Sequence, residues 1–151
     1  MRQSLLLAAF ASLALSPLAL ADEGFVPIFD GKTFNGWKAS EGGKSWTIED
    51  GALTGRGDRG HVFYVQDEFD DFELKVDVKI NKGGNSGIYF HTKYQEEGWP
   101  DAGHEIQVNN THTDPVKTGS LYSVVKLYES AGKDNEWFTM TVVAGGLHVG
   151  V

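Results

Sequence analysis

The sequence contains no cysteine. Disulfides therefore contribute nothing to its stability, thiolate metal sites are excluded, and no lipid can be attached through a cysteine. Basic residues are sparse as well: 13 Lys and Arg stand against 21 Asp and Glu, for a formal charge of −8, and they form no block. Such a chain does not attract nucleic acid or an anionic lipid surface. Long helical periodicity, internal repeats and low-complexity tracts are also missing. So are the familiar chemical motifs: there is no phosphate-cradling Gly-rich loop before a helix, no HExxH and no nucleophile elbow.

One long apolar run is present, Leu5 to Leu20, interrupted by Pro17. With Arg2 before it and Ala19-Leu20-Ala21 at its end, it reads as a signal peptide over residues 1–21, cut after Ala21. A spanning helix is the alternative, but the run is short for that and nothing similar follows. The expectation is an exported protein, periplasmic or secreted, with no membrane insertion after cleavage. Residues 22–151 are enough for one domain with one core.

What remains is β-type. Gly is abundant at 19, and short apolar-alternating runs are separated by Gly, Asn and Asp. Phe72 to Ile80 has apolar residues at every even position and charges between them, so one face is core and the other is wet. Trp46-Thr47-Ile48 and Ala52-Leu53-Thr54 flank an Asp50-Gly51 hairpin turn. Val62 to Val65, Ile88 to His91, Leu121 to Val125, Trp137 to Val143 and Leu147 to Val151 read as further strands. Trp37, Trp46 and Trp137 read as core.

Register can be argued further. A turn over Asn81 to Asn85 would fold Ile88 and Phe90 back beside the strand ending at Ile80, with even positions on one face. Lys75, Asp77, Lys79, Tyr89 and His91 would then share the opposite face. In GHEIQVNN, Gly103 to Asn110, Ile106 and Val108 alternate with Glu105, Gln107 and Asn109. That row would extend the polar surface on a sheet packed against a second sheet. Two irregular segments flank it: Thr92 to Gly103, with Trp99 beside Pro100, and Asn110 to Gly119.

The candidate constellation is His91, Glu105, Gln107, Asn109, His112, Asp114 and Lys117. A His beside a carboxylate suits proton transfer, amides suit hydroxyl recognition, and an exposed Trp suits stacking on a sugar ring. A solvated strand face with ordinary loop charges is the plain alternative. For His112 and Asp114 it is a turn before Pro115.

Seven pieces occur in an order that resembles the 3-keto-disaccharide hydrolase family, also described as 3-keto-glucoside lyase/hydratase-like domains. They are Phe29-Asp30-Gly31-Lys32 with Gly36-Trp37; Trp46 to Leu53; Asp71-Phe72-Glu73-Leu74; Gly84 to Phe90; Glu105-Ile106-Gln107; Thr118 to Tyr122; and Glu136-Trp137. The resemblance runs from about Phe25 to the last residue. It implies an all-β, concanavalin A-like jelly-roll sandwich of two antiparallel sheets with the site on the concave one. Members commonly carry Arg at the place of His91 and Asp at that of Asn109. They also continue beyond the place of Val151, which implies a domain incomplete at its C-terminus, with an unpaired edge at Leu147 to Val151.

The resemblance further implies 3-keto-glycosides as substrates. A ketone at C3 acidifies the C2 proton, a base removes it, and the enolate expels the group on C1; water then adds back. On this reading Glu105 is the base and His91 the assisting acid. Gln107, Asn109 and Tyr89 bond sugar hydroxyls, and Trp99, His112, Lys117 and Tyr122 complete the substrate contacts. A divalent metal held by His91 and Glu105 is the alternative means of polarising the ketone. Two further readings stay open: a non-catalytic, lectin-like carbohydrate-binding module, and an interaction domain with no sugar site.

Overall fold

Alternation in the sequence translates into strand pairs whose apolar positions meet in one core. In a computed structural model of the chain, residues 24–57 and 59–151 are described. The signal-peptide reading lies outside them. Among the described residues no helix is long and apolar enough to cross a membrane.

The elements in chain order are β1 (Trp37–Ala39), a 3-10 turn (Glu41–Gly43), β2 (Trp46–Glu49), β3 (Ala52–Gly55), β4 (Val62–Tyr64), β5 (Phe72–Val78), β6 (Ser86–Phe90), β7 (His104–Val108), β8 (Phe138–Gly145) and β9 (His148–Gly150). Every pairing between them is antiparallel: β1 with β4, β2 with β3, β6 with β7, and β8 between β5 and β9. The β2–β3 hairpin closes where expected, with Asp50 and Gly51 both at positive φ (50° and 79°). Two such residues give the turn the twist that the flanking strands need.

The core lies between the β5–β8–β9 group and the β6–β7 pair. Ile80, Phe90, Ile106, Val108, Met140, Val142 and Ala144 are buried there, with Phe72, Leu74, Val76, Val78, Ile88, Leu121 and Phe138 packed around them. All the even-numbered apolar residues of the Phe72, Ile88 and Glu105 segments thus join one cluster. Across β5 and β8, Leu74 faces Val142 and Val76 faces Met140, while Lys75 faces Thr141 and Asp77 faces Thr139. The result is the all-β, concanavalin A-like sandwich. Val142 is fully buried, so Val142→Ala should lower unfolding stability by about 2 kcal/mol, measurable by denaturant titration.

Three expectations are corrected. The strand ending near Ile80 does not form a hairpin with β6; it pairs with β8. Period-two alternation fixes which face a residue takes but not which strand lies alongside. The connection over Asn81 to Asn85 carries the chain from one layer to the other, with the Gly83 amide donating to Thr111 Oγ1 at 2.9 Å. Lys75, Asp77 and Lys79 are therefore not neighbours of Tyr89 and Glu105 in one polar face. Leu121 to Val125 is a tight turn, with the amides of Val124 and Val125 both donating to Leu121 O. Trp137 is 55% exposed beneath the Lys79 ammonium rather than in the core.

Candidate active site

On β6 and β7 the register sets Tyr89 opposite Glu105 and Gly87 opposite Gln107. The other edge of β7 is bonded by the segment before the tight turn: the Gln107 amide donates to Ser120 O, Gly119 N to Gln107 O, and Tyr122 N to Glu105 O. Glu105 therefore sits between two phenol-bearing neighbours, Tyr89 on one side and Tyr122 on the other. Beside that row runs a second one of Gly87, Gln107 and Ser120.

The Tyr89 hydroxyl donates to Glu105 Oε2 at 3.1 Å. Glu105 is half-buried, and desolvation pushes its carboxyl above the ordinary value of 4.5; the Tyr89 bond opposes this and nearby Asp114 adds to it. Tyr89 is pushed up to about 12 by burial and by the Glu105 charge, so it remains a neutral donor. The carboxylate lies over Gly87: a Cβ built there would stand 2.1 Å from Oε1 and 2.8 Å from Cδ. Only a residue without a side chain leaves that seat open. Gln107 is 2% exposed, and its Oε1 has no hydrogen-bond partner. A buried acceptor left unpaired is costly.

Four other expected site residues are used differently. The alternation that should put His91 beside Glu105 ends at Phe90, because His91 takes φ of 52°. Its ring turns to Phe72 and Phe90, and its Nε2 lies 2.7 Å from Asp70 O. Asn109 is fully buried. Its amide nitrogen donates to Asp114 O and Val116 O, and its Oδ1 accepts from His112 N, leaving nothing for a sugar. His112 Nδ1 accepts from Asp114 N at 3.0 Å. Lys117 Nζ is taken by His112 O and Asp114 O at 2.7 and 2.8 Å. These three knit the loop after β7, which in turn presents Asp114 to the Tyr122 hydroxyl at 3.3 Å.

Trp99 and Tyr122 are exposed, at 60% and 40%. The Trp99 indole meets the edge of His61 at 5.2 Å between ring centroids, and His61 meets Tyr89 at 5.8 Å. His61 is absent from the sequence-based constellation. It precedes β4 by one residue, and no spacing relates it to β6 or β7. The donor set for a divalent metal is not assembled: His91 is held away from Glu105, and among the described residues no three His, Cys, Asp or Glu side chains converge.

The chain is thus a concanavalin A-like sandwich that carries a half-buried carboxylate between two tyrosine-bearing positions on one face. The chain belongs to the family of 3-keto-alpha-glucoside-1,2-lyase-like domains, whose profile matches residues 24–151. It is 42% identical over 82 residues to a 3-keto-disaccharide hydrolase of Bacteroides thetaiotaomicron, a match covering 45% of this chain and 27% of that protein. It is also similar to a crystal structure from Parabacteroides distasonis ATCC 8503 described as a candidate glycosyl hydrolase. The TM-score there is 0.66 at 26% identity, over 81% of this chain and 65% of the other. The chain thus spans less than two thirds of the length of either relative.

Proposed function

We propose that this protein is an exported enzyme, periplasmic or secreted, that cleaves the glycosidic bond of 3-keto-glycosides by elimination and hydration. The observation that carries the reading is the Tyr89, Glu105, Tyr122 row. Glu105 removes the C2 proton. The electron pair left behind is held as an enolate through C3, and a phenol hydroxyl is the donor for that oxygen. Tyr122 is exposed and its bond to Asp114 is long, so it can turn to the ketone oxygen while Tyr89 holds Glu105. Gln107 Oε1 accepts from a ring hydroxyl, and Trp99 offers an apolar face to the sugar. Incubation with 3-keto-glucosides, followed by detection of the released aglycone, tests the activity. No release from any such glycoside would overturn it.

A second reading is favoured by one observation. Trp99 and Tyr122 are exposed aromatics of the kind a lectin-like module uses. Such a module has no use for a carboxylate whose charge is disfavoured by burial, and binding without turnover in calorimetry would select it.

Two expected outcomes follow. Because the base must be ionised, kcat should rise with pH through a midpoint above 4.5. Asp114→Asn removes a like charge and should bring that midpoint down, which a pH–rate profile reads directly. Gln107→Ala should raise KM about tenfold, the size of one lost ligand hydrogen bond, with kcat changed less.

A further inference from the structure

His91 and His112 are committed to structural bonds, to Asp70 O and from Asp114 N. His61 is not. Neither of its ring nitrogens has a hydrogen-bond partner among the described residues, and Nδ1 is also closed off from water. Its backbone, by contrast, is clamped. The His61 amide donates to Ser40 Oγ at 2.9 Å, and His61 O accepts from Ser40 N at 2.9 Å, with Ser40 only 1% exposed. The ring is set between Tyr89, the hydroxyl partner of Glu105, and the exposed indole of Trp99. A histidine that bears no structural bond through its ring, held rigidly on the wall of a site that needs a second proton carrier, has a chemical use.

We propose that His61 is the catalytic acid that protonates the departing glycosidic oxygen. This rests on the reading of the site as one that cleaves 3-keto-glycosides. Glu105 takes the C2 proton and the electron pair passes into the enolate. As the C3 carbonyl re-forms, a double bond forms between C1 and C2, and the C1–O bond breaks. That oxygen takes the proton carried by the His61 imidazolium. In the hydration that follows, water adds its oxygen to C1, Glu105 returns its proton to C2, and the second water proton restores His61. Both groups are reset and no further reactant is needed.

The surroundings of His61 suit the task. Burial and the nearby Arg59 hold it below its ordinary 6.5, while Glu41 pulls the other way. Arg59 and Glu41 are paired at 2.8 Å, and the Tyr89 that faces the ring stays neutral. A lowered value makes the imidazolium a stronger acid within mildly acidic solution. For a poor leaving group the rate should therefore fall as pH rises through the His61 value, below 6.5, giving a bell with the Glu105 limb on its acid side.

The test is leaving-group dependence in His61→Gln and His61→Phe, the latter keeping an aromatic ring against Tyr89 and Trp99. Rates are compared on 3-keto-glucosides carrying nitrophenol, which departs without a proton, and methanol or a sugar, which does not. Both variants should lose about 10²-fold or more on the sugar and methyl glycosides and little on the nitrophenyl glycoside, and the basic limb should vanish. Equal losses on both, or none on either, would overturn the assignment while leaving the cleavage reading intact. A parent enzyme that cleaves none of these glycosides would overturn both.

Discussion

Glu105→Gln should cut kcat by about 10²–10⁴-fold with KM little changed, because Gln keeps the shape and the bond from Tyr89 but cannot accept the C2 proton. The same substitution should raise stability at neutral pH. Glu105 is held above 4.5 in the folded state, so the native protein keeps this proton more tightly than the unfolded chain. Stability is then lost as pH rises from 4.5 through the folded value, and the cost stays in full above it. Removing the charge removes that cost. The melting temperature of Glu105→Gln should exceed the parent's at pH 7 and converge with it in acid. A variant that is inactive and also less stable at every pH would point to a structural carboxylate instead.

Gly87→Ala should be nearly as damaging to turnover, although this residue bears no functional group. Its missing Cβ is the seat of the Glu105 carboxylate, which would otherwise meet carbon at 2.1 Å. The backbone there has no positive φ, so alanine is tolerated by the strand and the strain falls on the glutamate. A displacement of an ångström at the base costs on the order of 10²-fold in rate. Moved toward solvent, the carboxyl also returns toward its ordinary value, so the acid limb of the pH profile should shift down together with kcat. Parent kcat with an unmoved limb would show that the seat is not what positions the base.

These two residues also show what the sequence discloses. Alternation assigned faces correctly in β5, β6 and β7, so the apolar set from Phe72 to Val108 forms one cluster and Tyr89, Glu105 and Gln107 share a face. Faces follow from chemistry that each strand carries by itself. Partners do not: nothing within β5 itself selects β8 over β6 as its neighbour. At His91 a single residue of left-handed backbone turns the side chain from the face its parity gives, and its sequence context carries no turn signal. Asn109 has the expected parity, but its amide is taken by two carbonyls of the following loop, those of Asp114 and Val116. His61 and Trp99 reach the site from separate segments, through contacts that no local spacing encodes.

The central claim is that a C2 proton leaves and returns during cleavage, and running the reaction in D₂O tests it most directly. The 3-keto-sugar is examined by NMR as it forms, within the time of turnover and against an enzyme-free control for background exchange. Elimination followed by hydration predicts one deuterium at C2 of the released sugar. This requires the proton on Glu105 to exchange with solvent before it is returned, so the contradicting result has two parts: hydrogen retained at C2, together with an unchanged rate when the substrate carries deuterium at C2, would mean that the bond breaks by displacement at C1 and that Glu105 is not the base described here.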